Sequence, residues 1–214
     1  RDSEKTGAGT WTLVGGTGER TPWRVLGGAL SIADDAALGS ADGALTLDGG
    51  TLRVTGDTAG TRGVTLGKAG GVFDVDRGRT LDLNGAVIGP GGLRKSGAGT
   101  LQLGAANGYA GGTVVAAGSL QALVTGALGT GPVSVAGNAS LAFTGKADAG
   151  KLAITVAARG GAPTDNGGFL AFSDSSSAGN ATITANKDAA VEFRDSSSAG
   201  NAVIENRGGI TTLW

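Results

Sequence analysis

Residues 172–185 read Phe-Ser-Asp-Ser-Ser-Ser-Ala-Gly-Asn-Ala-Thr-Ile-Thr-Ala, and residues 193–206 read Phe-Arg-Asp-Ser-Ser-Ser-Ala-Gly-Asn-Ala-Val-Ile-Glu-Asn. The offset is 21 residues: Phe172 answers Phe193, Asn180 answers Asn201 and Ile183 answers Ile204. A long word repeated intact at a fixed distance is the signature of a repeat architecture. Working toward the N-terminus, Leu101, Leu120 and Leu141 are 19 and 21 residues apart, and so are Val114, Val133 and Ile154. Two interleaved strand series therefore share a period near 20.

The local pattern is strand-like. Leu45-Thr-Leu47, Leu52-Arg-Val54, Val64-Thr-Leu66, Phe73-Asp-Val75, Leu81-Asp-Leu83, Val133-Ser-Val135 and Leu141-Ala-Phe143 all alternate apolar and polar residues. A period of two puts the apolar pair on one face and the polar residue on the other. Gly, Asn, Asp and Ser separate these short runs and supply turns. No stretch carries a sustained helical stripe, so almost no helix is expected. Short strands with such turns also suit a sandwich, but the fixed period decides against it. Two or three short strands plus turns in about 20 residues make one coil of a right-handed parallel β-helix. Successive coils stack about 4.8 Å apart, so roughly ten coils give a rod of about 45–50 Å. Stacking predicts like-on-like columns: Phe172 on Phe193, Ile183 on Ile204, and an amide ladder through Asn180 and Asn201.

A longer echo is present. Lys5-Thr-Gly-Ala-Gly-Thr-Trp-Thr-Leu13 matches Lys95-Ser-Gly-Ala-Gly-Thr-Leu-Gln-Leu103 at an offset of 90, and Gly28-Ala-Leu30 matches Gly118-Ser-Leu120 at the same offset. This suggests one multi-coil block used twice. The chain is expected to be a single β-helix, residues 1–214, with repeat blocks near 1–90, 91–160 and 161–214.

Composition agrees. Gly supplies 43 of 214 residues without a G-X-Y period, which excludes collagen. Hydrophobic residues are 40% and aromatics only 4%, so a core must come from Leu, Val, Ile and Ala. Net charge is −1 with no basic run, leaving nucleic-acid binding without an electrostatic footing. No apolar run is long enough for a membrane helix. Cys, Met and His are all absent. A chain without Cys suits export unfolded through an oxidising periplasm, and thiolate chemistry is removed. Without His, a Ser-His-Asp triad cannot form within this segment. The chain opens on Arg1 and its last residues, 208–214, read as a cut through continuing repeats. A fragment of a longer protein is expected, with no signal peptide of its own.

Residues 92–120 run Gly-Leu-Arg-Lys-Ser-Gly-Ala-Gly-Thr-Leu-Gln-Leu-Gly-Ala-Ala-Asn-Gly-Tyr-Ala-Gly-Gly-Thr-Val-Val-Ala-Ala-Gly-Ser-Leu. This stretch resembles the autotransporter-associated β-strand repeat of passenger proteins. Lys95, the Gly-Ala-Gly-Thr-Leu strand, Asn107, Tyr109, Gly111, Gly112 and Thr113 follow that pattern. The first copy keeps Lys5 to Leu13 and then departs, with Gly18-Glu-Arg-Thr-Pro-Trp23 in place of the Asn-Tyr turn. The resemblance implies a Gram-negative outer-membrane or secreted surface protein of type V secretion, an autotransporter passenger. Its full-length form would add an N-terminal signal and a C-terminal translocator barrel, both absent here. It implies a structural or adhesive β-helical stalk for adhesion or host-factor binding in virulence. The partners implied are a host surface protein or glycan, or self-association between cells. The alternatives are a β-helix enzyme acting on polysaccharide, and a passive stalk carrying an upstream protease or esterase domain.

No catalytic, cofactor-binding or metal-ligating residue is assigned, and no cofactor or enzymatic activity is expected. Asp74 and Asp76 lie two apart on a strand, with Asp82 on the next. Such carboxylates bind Ca²⁺ or act on glycosides in other proteins, but alternation alone demands polar residues there, and Arg77 and Arg79 are nearby. Asp34-Asp35 reads as surface loop. Gly67-Lys-Ala69 and Gly145-Lys-Ala147 fail as phosphate loops because no Ser or Thr follows the Lys. Asn138-Ala-Ser140 and Asn180-Ala-Thr182 match a glycosylation sequon, which carries little weight in a bacterial protein. Trp11, Arg20, Trp23 and Arg24 gather where the repeat breaks. Insertions in solenoids carry function, so this region is either a partner-binding loop or a packed loop covering a coil.

Overall fold

In a computed structural model of the protein, which describes residues 2–16 and 18–214, three parallel sheets wrap one narrow core. A six-stranded sheet runs from Ser3–Lys5 to Gly108–Tyr109. A ten-stranded sheet runs from Thr10–Thr12 to Val203–Asn206, and an eight-stranded sheet from Thr58–Gly60 to Ile210–Leu213. Successive strands of one sheet come from successive coils, and each pairs in parallel with the next. The ten strands of the longest sheet count about ten turns of a β-solenoid. The one helical segment among the described residues is the 3₁₀ turn Asp35–Leu38.

Register explains the sequence beat. Leu81, Leu101, Leu120, Leu141, Leu170 and Val191 are Cα partners from coil to coil and stand in one buried column. Phe143, Phe172 and Phe193 stack with centroids 4.9 Å apart and ring planes within 8°. Ile183 pairs with Ile204 as expected. Each fully buried Leu, Val or Phe contributes about 1.5–3 kcal/mol, and the thin core repeats that gain at every rung.

Three expectations are corrected. Val114 is not in the inward series: Thr113, Val133 and Ile154 are partners, and Val114 faces out opposite Ser134. Thr113 can take the inward place because its hydroxyl bonds the Tyr109 hydroxyl (2.6 Å) and donates to the Leu128 carbonyl (3.3 Å). Asn180 and Asn201 do lie one rung apart, but they are exposed and form no amide ladder. Their backbone N–H groups donate down the stack instead, to Gly150 O and Gly179 O, each at 2.7 Å. The amide rung is elsewhere, Gln102 Nε2 donating to Gln121 Oε1 at 2.9 Å. Third, the 90-residue echo is not a whole number of coils. Lys5 ends a strand of the six-stranded sheet, whereas Lys95 lies in the ten-stranded one. The motif is a corner, used at two different edges of the prism.

Coil length departs from the beat once. Ser140 pairs with Phe169 and Ala153 with Thr182, both 29 residues on. The excess is the loop 157–168. There Asp165 Oδ2 accepts from Ala162 N–H (2.8 Å), and Asp165 Oδ1 accepts from Asn138 Nδ2 (3.2 Å). Asn138 Oδ1 in turn accepts from Asn166 N–H at 2.8 Å, tying the loop to the coil beneath.

Candidate functional site

The corner motif has a physical core that its spacing alone did not disclose. Lys95 is fully buried between Phe73 and Val115 in an inward column. Its Nζ donates to the carbonyls of Ser96 (2.6 Å), Gly97 (2.8 Å) and Ala117 (3.2 Å). Lys5, also fully buried, repeats the arrangement on Thr6 (2.7 Å), Gly7 (2.8 Å) and Gly27 (3.0 Å). A chain that turns a tight corner leaves carbonyls with no strand partner, and one ammonium with three donors satisfies them. Burial brings the Lys95 ammonium down from the ordinary 10.5 to about 8, against the opposing attraction of the Asp74 carboxylate. Gly118 closes this corner at φ +67, and a Cβ there would stand 2.4 Å from Gly99 O.

The turn after it is wired just as tightly. Asn107 Oδ1 accepts from Val87 N–H of the preceding coil (2.7 Å), and its Nδ2 donates to Ala127 O of the following one (2.6 Å). Tyr109 is fully buried, and burial pushes its phenol up. The pattern residues Asn107, Tyr109 and Thr113 therefore clamp three coils together; they are scaffold.

The carboxylates do not assemble. Asp74 and Asp76 belong to the ten-stranded sheet and the turn after it, whereas Asp82 lies in the eight-stranded sheet, so Asp82 is on another face. Asp76 is held by Arg53, whose Nε and Nη2 donate to its two oxygens at 3.2 and 3.3 Å. Arg79 turns instead to Asp57 at 3.4 Å. Among the described residues no group of three or more His, Cys, Asp or Glu side chains is placed to hold a metal ion.

Asp34 and Asp35 are more than loop surface. Asp34 Oδ1 caps the 3₁₀ turn by accepting from Ala36 N–H at 2.8 Å. Asp35 takes a two-pronged bond from Arg62 (2.7 and 3.0 Å), a guanidinium only 2% exposed that also donates to the carbonyls of Gly39 and Gly43. Nothing in the local sequence around Arg62 announces this, because its partners lie 19 to 27 residues away.

Trp11 and Trp23 are not one loop cluster. Trp11 lies in the strand Thr10–Thr12 and pairs with Leu30, so it occupies an inward column at the end of the ten-stranded sheet. The Lys5 Nζ stands 5.6 Å over its ring. Trp23 pairs with Leu45 in the six-stranded sheet and packs on the core. Arg20 donates to Asp42 O at 3.2 Å, and exposed Arg24 sits beside Glu4 and Thr46 in the ladder. The two tryptophans are repeat positions filled by larger side chains, and the true insertion, 157–168, carried no such signal.

One open groove of about 260 Å³ lies at another corner, where the six-stranded sheet turns into the ten-stranded one. Its floor is bare glycine backbone (Gly49, Gly70, Gly92 and Gly112), and Lys68, Arg94, Val72 and Val114 rise around it. No helix among the described residues is long and apolar enough to cross a membrane.

The comparisons with known proteins follow this geometry. The model of the passenger-associated-transport-repeat family matches residues 93–122, the stretch holding Lys95, Asn107, Tyr109 and Thr113. Over 110 residues, 48% of the chain, the sequence is 37% identical to the adhesin BmaC autotransporter of Brucella suis biovar 1 (strain 1330). The chain spans about 3% of that relative's length. No solved structure matches. A matched transport repeat, a sequence relative named an autotransporter and a stack of parallel coils make this chain similar to the passenger segments of autotransporters.

Proposed function

We propose that this segment is a surface-exposed β-helical stalk of a Gram-negative outer-membrane autotransporter, whose outward faces mediate adhesion or host-factor binding in virulence. The observation that carries it is the pairing of a rigid, repeat-clamped rod with 37% identity to a passenger named an adhesin. A rod of stacked coils projects contact surface away from the cell while keeping every interior rung satisfied. The full-length protein would carry a C-terminal translocator barrel, and the contacts would be a host surface protein or glycan, or another cell. On this reading the segment is not an enzyme, which fits a carboxylate, Asp76, tied up by Arg53.

The test is display of the full 214-residue chain on a non-adherent bacterium through a heterologous translocator. Attachment to epithelial cells or between bacteria should rise about tenfold or more over the translocator alone. Attachment equal to that of the bare translocator would leave a passive stalk, one that serves export by folding coil on coil.

A further inference from the structure

We propose that the corner groove between Lys68 and Arg94 binds an acidic glycan, through its sulfate or carboxylate groups. The inference rests on the adhesive reading above and names the chemistry of one contact surface. Lys68 and Arg94 are exposed, and neither makes a hydrogen bond or ion pair among the described residues. Their neighbour Arg53, by contrast, is matched to Asp76. No carboxylate lines the groove. The acid of this corner, Asp48, is turned to the Ala69 N–H at 2.8 Å. Two unmatched cations over a concave surface set the sign of the ligand.

The rest of the lining selects for a saccharide. Val72, Arg94 and Val114 are Cα partners on three successive coils, so the cation is flanked by two apolar patches about 4.8 Å away on each side. That spacing suits a pyranose chain lying along the rod, with C–H faces on the valines and an anionic substituent at Arg94. Of the floor glycines, Gly49 is exposed and Gly92 half-buried, so the backbone is within reach at those two positions. The groove residues Leu93 to Val114 fall inside the matched repeat.

The experiment uses the full chain and three immobilised probes: heparin, polygalacturonate and neutral dextran. Retention is expected on heparin or on polygalacturonate, identifying sulfate or carboxylate as the group bound, and none on dextran. The double variant Lys68→Gln/Arg94→Gln should weaken binding about tenfold or more at low salt. The equal charge loss Arg77→Gln/Lys146→Gln, at exposed positions outside the groove, should weaken it less than about twofold. Equal losses in both pairs, or a duplex DNA bound as tightly as the glycans, would reduce the effect to general polyanion attraction and overturn the site. Circular dichroism should show an unchanged β spectrum in both pairs, since all four side chains are exposed. If displayed Lys68→Gln/Arg94→Gln cells still adhere fully, the groove fails while the adhesive reading stands. If the parent chain does not adhere, that reading fails independently of any glycan retention.

Discussion

At the scale of single residues, the buried lysine is the most informative feature. Lys95 gives its proton up near pH 8 in the folded chain and near 10.5 when unfolded. Between those values the unfolded chain holds the extra proton, so stability should rise with pH across the window, at up to about 1.4 kcal/mol per unit. Tyr109 acts in the opposite sense. Its phenol keeps its proton in the fold above the ordinary value of 10, so stability falls again at higher pH. Denaturant melts of the parent and of Lys95→Met at pH 7.5, 8.5 and 9.5 separate the two. The parent curve should climb relative to the variant, and parallel curves would mean that Lys95 is not desolvated. At pH 7.5 the variant should still be destabilised by about 2–4 kcal/mol, because the Ser96, Gly97 and Ala117 carbonyls lose their donor. Arg62→Met should act locally. It frees Asp35 and the Gly39 and Gly43 carbonyls, so amide exchange over residues 35–43 should accelerate while the eight-stranded sheet keeps its protection.

At the scale of elements, strand and turn obey different rules. Strand positions need only an apolar residue of the right volume, so the Phe143–Phe172–Phe193 stack is a matter of packing. Phe172→Ala removes the middle ring and should cost about 3–5 kcal/mol in a chemical melt, with Phe172→Leu costing less than half as much. Corners are less forgiving. Gly118→Ala combines φ +67 with a Cβ 2.4 Å from Gly99 O, so it should destabilise by about 2 kcal/mol or more despite adding a single methyl. A melt indistinguishable from the parent would show that the corner can relax. The alternation of strands was legible because a buried column accepts only apolar side chains. The inward place of Thr113, given to Val114 in the sequence reading, was not legible because its hydroxyl is satisfied by Tyr109 and Leu128, partners that no local pattern displays.

For the whole molecule, the solenoid makes coils nearly interchangeable. Residues 172 and 193 are Cα partners, so excising 173–193 joins two chemically matched rungs. The product should fold, with a scattering length shorter by about 4.8 Å. Excision of half that segment puts each following side chain on the wrong face and should leave the C-terminal coils unfolded. If both deletions behave alike, register does not govern stability here.

Like residues recur at 172–185 and 193–206 because each rests on its equivalent one coil away, and neighbours in a stack are also neighbours in the periodic sequence. The parallel coil, its length and its aliphatic interior could therefore be read from the amino acids alone, as could the kinship carried by residues 93–122. Which edge of the prism a repeated motif occupies could not, since the 90-residue spacing counts residues and not rungs. The burial of Lys95 and Arg62, the separation of Asp82 from Asp74 and the groove at Lys68 and Arg94 were likewise decided only in three dimensions. Each depends on which side chains meet across coils, and the turns between strands, with their varying lengths, set that meeting.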